Sequence, residues 1–401
     1  MSSHCAAADE SGTEVQPPNP FSPSFGITPP VLVGRNAVLR DFDEVFASIR
    51  SASYATLLWG LRGTGKTVLL NAIEDRAAEH GWVSISAAVA RPLGLIEQLA
   101  SRADRMLRSL AEEPEGGPKR ELSGVSVLGL GIHTERAPQE QRAAMPSLDL
   151  EASLAALGDL LANRGAGVVI TLDELHVCDV EEIKEFGSVF QIVSRRAERP
   201  IAFVGAALPE LEHRLLPGPV GTFLQRCRRH QIDNLRASEA RTALRQPIED
   251  VGARIDDEAL DLAATASRGQ PYLVQLVGAC AWDNAADPVA GIRLADVSPA
   301  VSDAIQMFGD HVYGPVWYRL SDLDKALAVA MLADRGSSSV ADVGERWGHS
   351  SRSLSNYRRR LISAGLIVSV GRGRIAFVDD AARAFVQQQA EAEGWLDAAP
   401  A

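Results

Sequence analysis

The sequence predicts an α/β fold, in which a parallel sheet covered by helices is followed by a helical lid and a C-terminal winged helix. Short apolar runs alternate with longer segments whose apolar residues recur at helical spacing, which is typical of a parallel sheet with helices on its faces. After Leu235 the apolar runs stop and helical patterns take over. Near the C-terminus, three helical segments precede two short β-like runs joined by a Gly/Arg turn, which is the order of a winged helix.

Four short apolar runs are the expected strands of the sheet. They lie at residues 55–59, 82–87, 168–172 and 201–205. The helices expected between them, where apolar residues fall three or four positions apart, lie at residues 68–79, 93–110 and 180–198. The segment 112–146 interrupts this order, and its apolar run 125–132 is predicted to form a hairpin or an exposed flap.

The remaining segments complete the domain organisation. The lid helices are expected at 237–252, 256–268 and 271–282, and the segment 284–299, rich in Ala, Asp and Pro, is expected to contain a boundary. The winged-helix elements are expected at 323–334, 340–348, 351–364, 366–370 and 375–378. The predicted regions are a disordered tail at 1–29, an α/β core at 30–235, a helical lid at 236–300 and a winged helix at 315–390.

Composition narrows the class of protein. The 401 residues include 52 Asp and Glu against 40 Lys and Arg, a formal charge of −12 that excludes a uniformly basic nucleic-acid coat protein. Six prolines within the first 30 residues predict the disordered tail, and no Lys or Arg precedes Arg35, as a signal peptide would require. No apolar run reaches membrane-spanning length, so no membrane partner is expected. Four scattered cysteines indicate a cytoplasmic protein without a disulfide framework.

One motif carries a specific chemistry. Gly60-Leu61-Arg62-Gly63-Thr64-Gly65-Lys66-Thr67, followed by Val68, matches the phosphate-binding pattern G-x-x-x-x-G-K-[ST] between a predicted strand and a predicted helix. Its glycines let backbone N–H groups turn toward phosphates, and the start of the helix adds partial positive charge. Lys66 would neutralise the β- and γ-phosphates of ATP and Thr67 would ligate Mg²⁺. The alternative is a glycine-rich turn that binds nothing.

A second motif follows about a hundred residues later. The apolar run 168–172 ends in Asp173 and Glu174. In a P-loop fold this strand lies beside the phosphate loop, so Asp173 would hold Mg²⁺ and Glu174 would orient or deprotonate the attacking water. The sequence therefore predicts an ATPase with ATP and Mg²⁺ as cofactors. Two solvated acids at a strand end are the alternative interpretation.

The motifs resemble those of the AAA+ ATPases, in the branch that contains the origin-recognition-like ATPases and the neighbouring STAND signalling ATPases. The resemblance covers about residues 31–380 and begins with Val31-Leu32-Val33-Gly34-Arg35-Asn36-Ala37-Val38-Leu39, similar to the box that precedes the family's core. It implies that Val33, Gly34 and Arg35 frame the adenine.

The resemblance also assigns three further positions. The strand at 201–205 would end in the first sensor, but Gly205 and Ala206 stand where many family members have a polar residue. Arg226 is the expected arginine finger, with Arg228 and Arg229 as rivals, although a solvated basic helix end is an equal alternative. In the lid, Gly269-Gln270-Pro271 resembles a G-x-P element, so Pro271 is expected at the nucleotide. The alternative is a loop glycine followed by a proline in the first turn of a helix. Tyr272 replaces the second-sensor arginine, which favours the STAND side.

The C-terminal region is neutral overall but polarised. Residues 351–374 contain six arginines and no acid: Arg352, Arg358, Arg359, Arg360, Arg372 and Arg374. The first four lie on a predicted helix and the last two at the tip of the predicted wing. This arrangement predicts binding to double-stranded DNA, with the helix in a major groove and the wing at phosphates or in a minor groove.

Two functions remain open at this point. The first is an ATP-hydrolysing switch that couples nucleotide state to DNA binding, possibly as a homo-oligomer that binds ATP and ADP in turn. The second is a STAND-like signalling or scaffold ATPase whose winged helix contacts protein. Specific DNA binding would favour the first function over the second.

Overall fold

The structure is a computed structural model that describes residues 17–24, 26–48, 54–87, 94–111, 146–196, 198–209, 221–349 and 351–395. The flap predicted at 125–132 and the rest of 112–145 lie outside the described residues, as do residues 1–16 of the predicted tail. Among the helices described, none combines the length and apolar character that a membrane crossing requires.

The core is a five-stranded parallel sheet with strand order β2-β3-β4-β1-β5. Its strands are β1 (Ala55–Trp59), β2 (Val83–Ala87), β3 (Val168–Leu172), β4 (Ile201–Ala207) and β5 (Arg228–Gln231). Its helices are α1 (Asn36–Ala47), α2 (Lys66–Glu79), α3 (Leu95–Ala111), α4 (Pro146–Ala162), α5 (Val180–Ser194) and α6 (Gly221–Arg226). Strands β1, β3 and β4 are buried throughout, which explains their unbroken apolar sequences.

Two elements of the core differ from the prediction. Helix α4 begins at Pro146, where the sequence was expected to be an irregular insertion. Strand β5 forms the edge of the sheet, although its sequence Arg-Arg-His-Gln carries no apolar side chain. It pairs in parallel with β1, which places Arg228 opposite Thr56. The basic segment expected at a helix end is therefore largely a strand.

The lid consists of α7 (Ala237–Asp250), α8 (Asp257–Ser267), α9 (Pro271–Asn284) and α10 (Leu294–Val312), followed by the short α11 (Gly314–Trp317). Helix α10 runs past residue 300, where the lid was predicted to end. It begins at Leu294 because Asp296 accepts a hydrogen bond from the backbone N–H of Arg293. The connection between α9 and α10 is therefore shorter than the predicted boundary segment 284–299.

The C-terminal module contains α12 (Asp322–Ala330), a 3₁₀ turn (Met331–Ala333), β6 (Ser337–Ser339), α13 (Val340–Trp347), α14 (Ser351–Ser363), β7 (Ile367–Gly371), β8 (Arg374–Phe377) and α15 (Asp380–Ala392). The three strands form an antiparallel sheet in the order β6-β8-β7. Helix α15 closes the module against α10, where a Cβ on Gly309 would lie 3.1 Å from the ring of Phe385. One continuous hydrophobic core joins the lid and the module.

The N-terminal segment of residues 17–24 and 26–33, here called the strap, packs on the lid and core. Phe21 is only 4% exposed, and a Cβ on Gly278 of α9 would lie 2.5 Å from its ring. The amide of Asn19 donates to the carbonyl of Ala279, and the amide of Asn71 on α2 donates to the carbonyl of Gly26. The described part of the predicted tail, 17–24 and 26–29, therefore differs from the expected disorder, because an aromatic anchor fixes it.

Candidate nucleotide-binding site

The phosphate loop lies at the carboxyl end of β1 and leads directly into α2. Gly65 caps α2 with φ of 87°, a left-handed conformation that glycine adopts without a steric penalty. A Cβ on Gly60 would overlap the carbonyl oxygen of Ile232, so this position requires glycine by close approach. The loop backbone is thus fixed in the turn that directs its N–H groups toward an anion.

Lys66 lies beneath the loop. Its Nζ donates hydrogen bonds to the carbonyls of Gly60 at 2.8 Å and Leu61 at 2.7 Å, and the residue is 7% exposed. The Thr64 hydroxyl donates to the carbonyl of Leu61 at 3.0 Å. These bonds hold the loop in one shape and keep the ammonium at its centre.

The hydroxyl of Thr67 and the carboxylate of Asp173 meet at the same edge of the sheet. Thr67 Oγ1 donates to Asp173 Oδ2 at 2.6 Å, and Asp173 Oδ1 accepts the backbone N–H of Glu174 at 2.8 Å. No group of three or more His, Cys, Asp or Glu that could hold a metal occurs among the described residues. Two oxygen ligands fit Mg²⁺, which takes one or two protein ligands and completes its shell with phosphate oxygens and water.

Glu174 adopts a positive φ of 54°, which is uncommon for a residue with a side chain and directs it away from the strand. Burial and the neighbouring charge of Asp173 raise the pKa of Glu174, while Arg62 and Lys66 oppose the rise. His176, with a side chain 11% exposed, places its Nε2 3.2 Å from Glu174 Oε2. The Glu174 carboxylate therefore lies next to a largely buried imidazole.

A cavity of about 420 Å³ joins these groups. Its polar end is formed by loop residues 62–68 and Glu174, and its apolar end by the strap and the lid. Apolar residues at that end include Ile27, Val33, Leu235 and Pro271. The volume and the division into charged and apolar ends suit a nucleotide, whose phosphates and base have those two characters.

The box at 31–39 contributes to this cavity in two ways. Val33 and Arg35 line it, whereas Gly34 does not. Arg35 is buried and donates from Nη2 to the carbonyls of Thr64 at 3.0 Å and Asp233 at 2.7 Å. Burial lowers the pKa of Arg35, opposed by Glu239 and Asp233. Arg35 therefore ties the phosphate loop to the start of the lid, a role that the resemblance did not imply.

Most of the predicted loop residues line the cavity, and the other two bind Lys66. Arg62, Gly63, Thr64, Gly65, Lys66, Thr67 and Val68 line the cavity, as does Pro271. Gly60 and Leu61 are not among its lining residues and act through their carbonyls on Lys66.

Sequence reasoning missed the strap and one pair in the lid. Ser22, Ser24 and Ile27 line the cavity. The Tyr272 hydroxyl lies 2.7 Å from His311 Nδ1, and both residues line the cavity as well. The interrupting prolines hid the strap, but Phe21 between Pro20 and Pro23 is an apolar residue that could have indicated an anchor.

The tip of β4 carries no polar side chain. Ala206, Ala207 and Leu208 are buried, and the carbonyl of Ala207 accepts the N–H of Gly60 at 3.3 Å. A Cβ on Gly205 would overlap the side chain of Leu175, so packing explains that glycine. The first-sensor hydrogen bond is therefore absent at this position.

Arg226 lies at the opposite end of the sheet from the phosphate loop. It ends α6 directly before β5, whose first residue pairs with Thr56 near the start of β1, while the loop follows the last residue of β1. At about 3.3 Å per residue, the part of β1 between Thr56 and the loop spans roughly 13 Å. The Arg226 side chain is exposed. In this conformation Arg226 does not reach its own subunit's site.

The two rivals of Arg226 are engaged within the core. Arg228 Nη2 lies 2.8 Å from Asp41 Oδ2, and the Arg229 guanidinium lies 5.8 Å from the centre of the Trp59 ring. These contacts hold the edge strand to α1 and β1, and they give both arginines a structural role.

Two of the six C-terminal arginines are also engaged within the module. Arg360 Nη2 lies 2.6 Å from Oδ2 of Asp324, whose side chain is fully buried. Arg374 donates to the Ser337 carbonyl at 2.8 Å and to its hydroxyl at 2.6 Å. Their predicted role in DNA contact therefore competes with these internal bonds.

The other arginines differ in exposure. Arg359 and Arg372 are exposed, Arg358 is half-buried, and Arg359 donates to Asn356 at 3.1 Å. The side chain of Arg352 lies outside the described residues. Leu354 and Leu361 are buried and Tyr357 packs edge-on against Trp347, so the predicted apolar face of this helix does face the core.

Residues 31–204 match a family model described as AAA ATPase domain. Residues 310–386 match another, described as Domain of unknown function (DUF8462). None of the curated proteins matches the sequence.

Two solved structures share the fold across most of the chain. The Walker-type ATPase paby2304 of Pyrococcus abyssi has a TM-score of 0.61 and 14% identity, covering 89% of this chain and 96% of its own. The Aeropyrum pernix ORC2 protein, solved as ADPNP-ADP complexes, has a TM-score of 0.55 and 15% identity, covering 92% and 97%. Together with the family match over the core, this fold supports ATPase activity of the AAA+ type in this chain.

Proposed function

We propose that this protein is an ATP-hydrolysing switch that couples its nucleotide state to the binding of double-stranded DNA through a C-terminal winged helix. The observation that carries the proposal is the contact of Asp173 with Thr67 and with the backbone of Glu174. Thr67 and Glu174 line one end of a cavity whose other walls are the lid and the strap. The lid in turn shares one core with the arginine-bearing module.

The chemistry follows from the residues at the polar end. Lys66 and the loop N–H groups would bind the phosphates, and Glu174 would take a proton from the attacking water. Thr67 and Asp173 would hold Mg²⁺, which would neutralise charge on the phosphates. His176 Nε2 lies 3.2 Å from the Glu174 carboxylate. Hydrolysis then changes the contacts available to the lid.

The DNA-binding part of the proposal rests on the layout of the module. Helices α12, α13 and α14 with a three-stranded antiparallel sheet have the order of a winged helix. Arg358 and Arg359 lie on α14, and Arg372 lies in the turn between β7 and β8. A helix in a groove with a basic turn on the backbone would use these positions.

The test compares DNA binding by the double variant Arg359→Ala/Arg372→Ala with binding by Arg254→Ala, which removes an exposed arginine from the lid. Fluorescence anisotropy would be measured at several salt concentrations with ATP and with ADP, in a Glu174→Gln background. Losing two phosphate contacts should lower the slope of log affinity against log salt by about 2. Unchanged affinity and slope would rule out these arginines, and equal affinity with ATP and ADP would rule out the switch.

A second candidate is a STAND-like signalling or scaffold ATPase that self-associates. Two departures from the expected sensors favour it: the tip of β4 is apolar, and Tyr272 stands where the second-sensor arginine is expected. The exposed Arg226, remote from its own site, would then complete the site of a neighbouring subunit. Sedimentation with ATP should show self-association that Arg226→Ala abolishes, without a specific DNA site.

A further inference from the structure

Arg62 of the phosphate loop touches the C-terminal module. A Cβ on Gly365 would lie 3.4 Å from Arg62 Nε and 3.8 Å from its Cδ, so the side chain packs on the bare backbone of that glycine. Gly365 has φ of 71° and ends helix α14, where its N–H bonds to the carbonyl of Ile362 and the next N–H bonds to Leu361. A residue of the nucleotide site thus lies against the cap of the arginine-bearing helix.

The same side chain borders two cavities. One is the 420 Å³ cavity, where Arg62 lies with Glu174 and Lys66. The other, of about 90 Å³, lies between the loop and the module and is also lined by Tyr313, Gly365 and Asp379. Arg62 is therefore the loop residue that faces both the phosphate end of the site and the junction with the module.

The Arg62 side chain has a hydrogen-bond donor that no acceptor of the described chain satisfies. Its Nε is buried without a hydrogen-bond partner among the described residues. The nearby Asp379 carboxylate is engaged by the Tyr313 hydroxyl at 2.6 Å and by the N–H of Ala382 at 2.7 Å. A buried donor without a partner costs free energy, so this guanidinium gains by finding an anion.

The charge of Arg62 acts on both the nucleotide site and its junction with the C-terminal module. Arg62 lowers the pKa of both Glu174 and Tyr313, against the larger effect of burial, which raises both. One positive charge is thus close enough to influence the carboxylate of the active site and the hydroxyl at the junction. The tip of β4 supplies no polar group that would compete for the terminal phosphate.

We propose that Arg62 is a positioning residue that senses the γ-phosphate of ATP and transmits its presence to helix α14. ATP draws the guanidinium into the larger cavity, because charge-assisted hydrogen bonds to phosphate are stronger than its packing on Gly365. With ADP the side chain stays against the helix cap. The contact at Gly365 then differs between the two nucleotide states, as a switch requires. This inference rests on the proposed function and names the contact through which it acts.

The test uses the full chain in a Glu174→Gln background, so that ATP is not consumed. Arg62→Ala is compared with Arg62→Lys, which restores a charge, and with Arg40→Ala, an exposed arginine on α1. The readouts are the dissociation constants for ATP and ADP with Mg²⁺, and amide hydrogen exchange across residues 361–378 in each nucleotide. Neither readout depends on turnover.

We expect ATP, but not ADP, to raise exchange around Gly365 in the parent and in Arg40→Ala. Arg62→Ala should abolish that difference and lower the preference for ATP over ADP about ten- to hundredfold, and Arg62→Lys should restore part of both. An ATP-specific exchange difference that survives in Arg62→Ala, or its absence in the parent, overturns the role of Arg62. If the exchange differs as expected but DNA binding does not, the proposed function fails and this contact stands.

Discussion

The phosphate loop and the C-terminal module both present positive charge, but they hold it differently. Lys66 is 7% exposed and fixed by two backbone carbonyls, so its charge has one position. Arg359 and Arg372 are exposed and leave their guanidinium groups largely in solvent. A fixed buried charge suits one ligand of defined geometry, whereas an open set of charges suits a polymer of repeated phosphates. The difference supports a small anion at one site and a large polyanion at the other.

The largest effect is expected at Lys66. Lys66→Ala removes the ammonium from the loop and should weaken ATP binding by more than about a hundredfold, since hydrogen bonds to charged groups are worth about 1.5–3 kcal/mol each. Titration with a fluorescent ATP analogue measures the loss, and circular dichroism checks that the fold persists. Binding within a few fold of wild type would show that the buried charge does not act on phosphate.

Glu174→Gln separates binding from chemistry at the same end of the cavity. It should reduce hydrolysis about 10²- to 10⁴-fold, the usual contribution of a general base, and leave ATP binding intact. Phosphate release in single turnover and the dissociation constant are measured on the same sample. Equal hydrolysis by the variant and wild type would assign the base to another residue.

The strap tests whether the site depends on contacts distant in sequence. Phe21→Ala removes a ring that is 4% exposed and should destabilise the protein by about 3 kcal/mol, as core truncations of phenylalanine do. Ile27→Ala is the control within the strap, because Ile27 is 51% exposed and should change stability by less than about 0.5 kcal/mol. Urea unfolding measures both. Similar small losses in the two variants would contradict an anchoring role for Phe21.

The smallest expected effects are on stability, and they distinguish Arg360 from Arg359 on helix α14. Arg360→Ala leaves the fully buried Asp324 without its cation and should cost about 2–3 kcal/mol, less than a fully buried pair because Arg360 is half-exposed. Arg359→Ala should change stability by less than about 0.5 kcal/mol and act on DNA binding instead. Thermal unfolding compares the two. Equal stability would place Arg360 with the open arginines.

The phosphate site was predictable because its chemistry depends on residues that are close in sequence. The loop needs eight consecutive positions, and Asp173 and Glu174 follow directly from the strand that carries them. Their mutual placement then follows from the parallel sheet, in which the carboxyl ends of all strands lie at one edge, although β4 lies between β1 and β3. The structure brings Thr67 Oγ1 within 2.6 Å of Asp173 Oδ2, as expected of two residues predicted to share one Mg²⁺.

The elements that sequence reasoning missed depend on distant partners. The sequence of the strap predicts disorder, because nothing in it shows that Phe21 packs against Gly278 of the lid. Strand β5 lacks apolar alternation because Arg228 pairs with Asp41 and Arg229 lies on Trp59. Charge pattern likewise could not separate Arg360 from its neighbours, since its partner Asp324 lies on another helix.

The position of helix α10 limits which domains could replace the C-terminal module. Over 19 residues, at about 1.5 Å each, it forms a rod of about 28 Å. Within one turn at its end, His311 and Val312 line the nucleotide cavity while Gly309 meets Phe385 of α15. The end of α10 therefore contacts both the cavity and the C-terminal module. If the proposed switch operates, a different module grafted after this helix would need an aromatic ring at the position of Phe385 to keep the contact with Gly309.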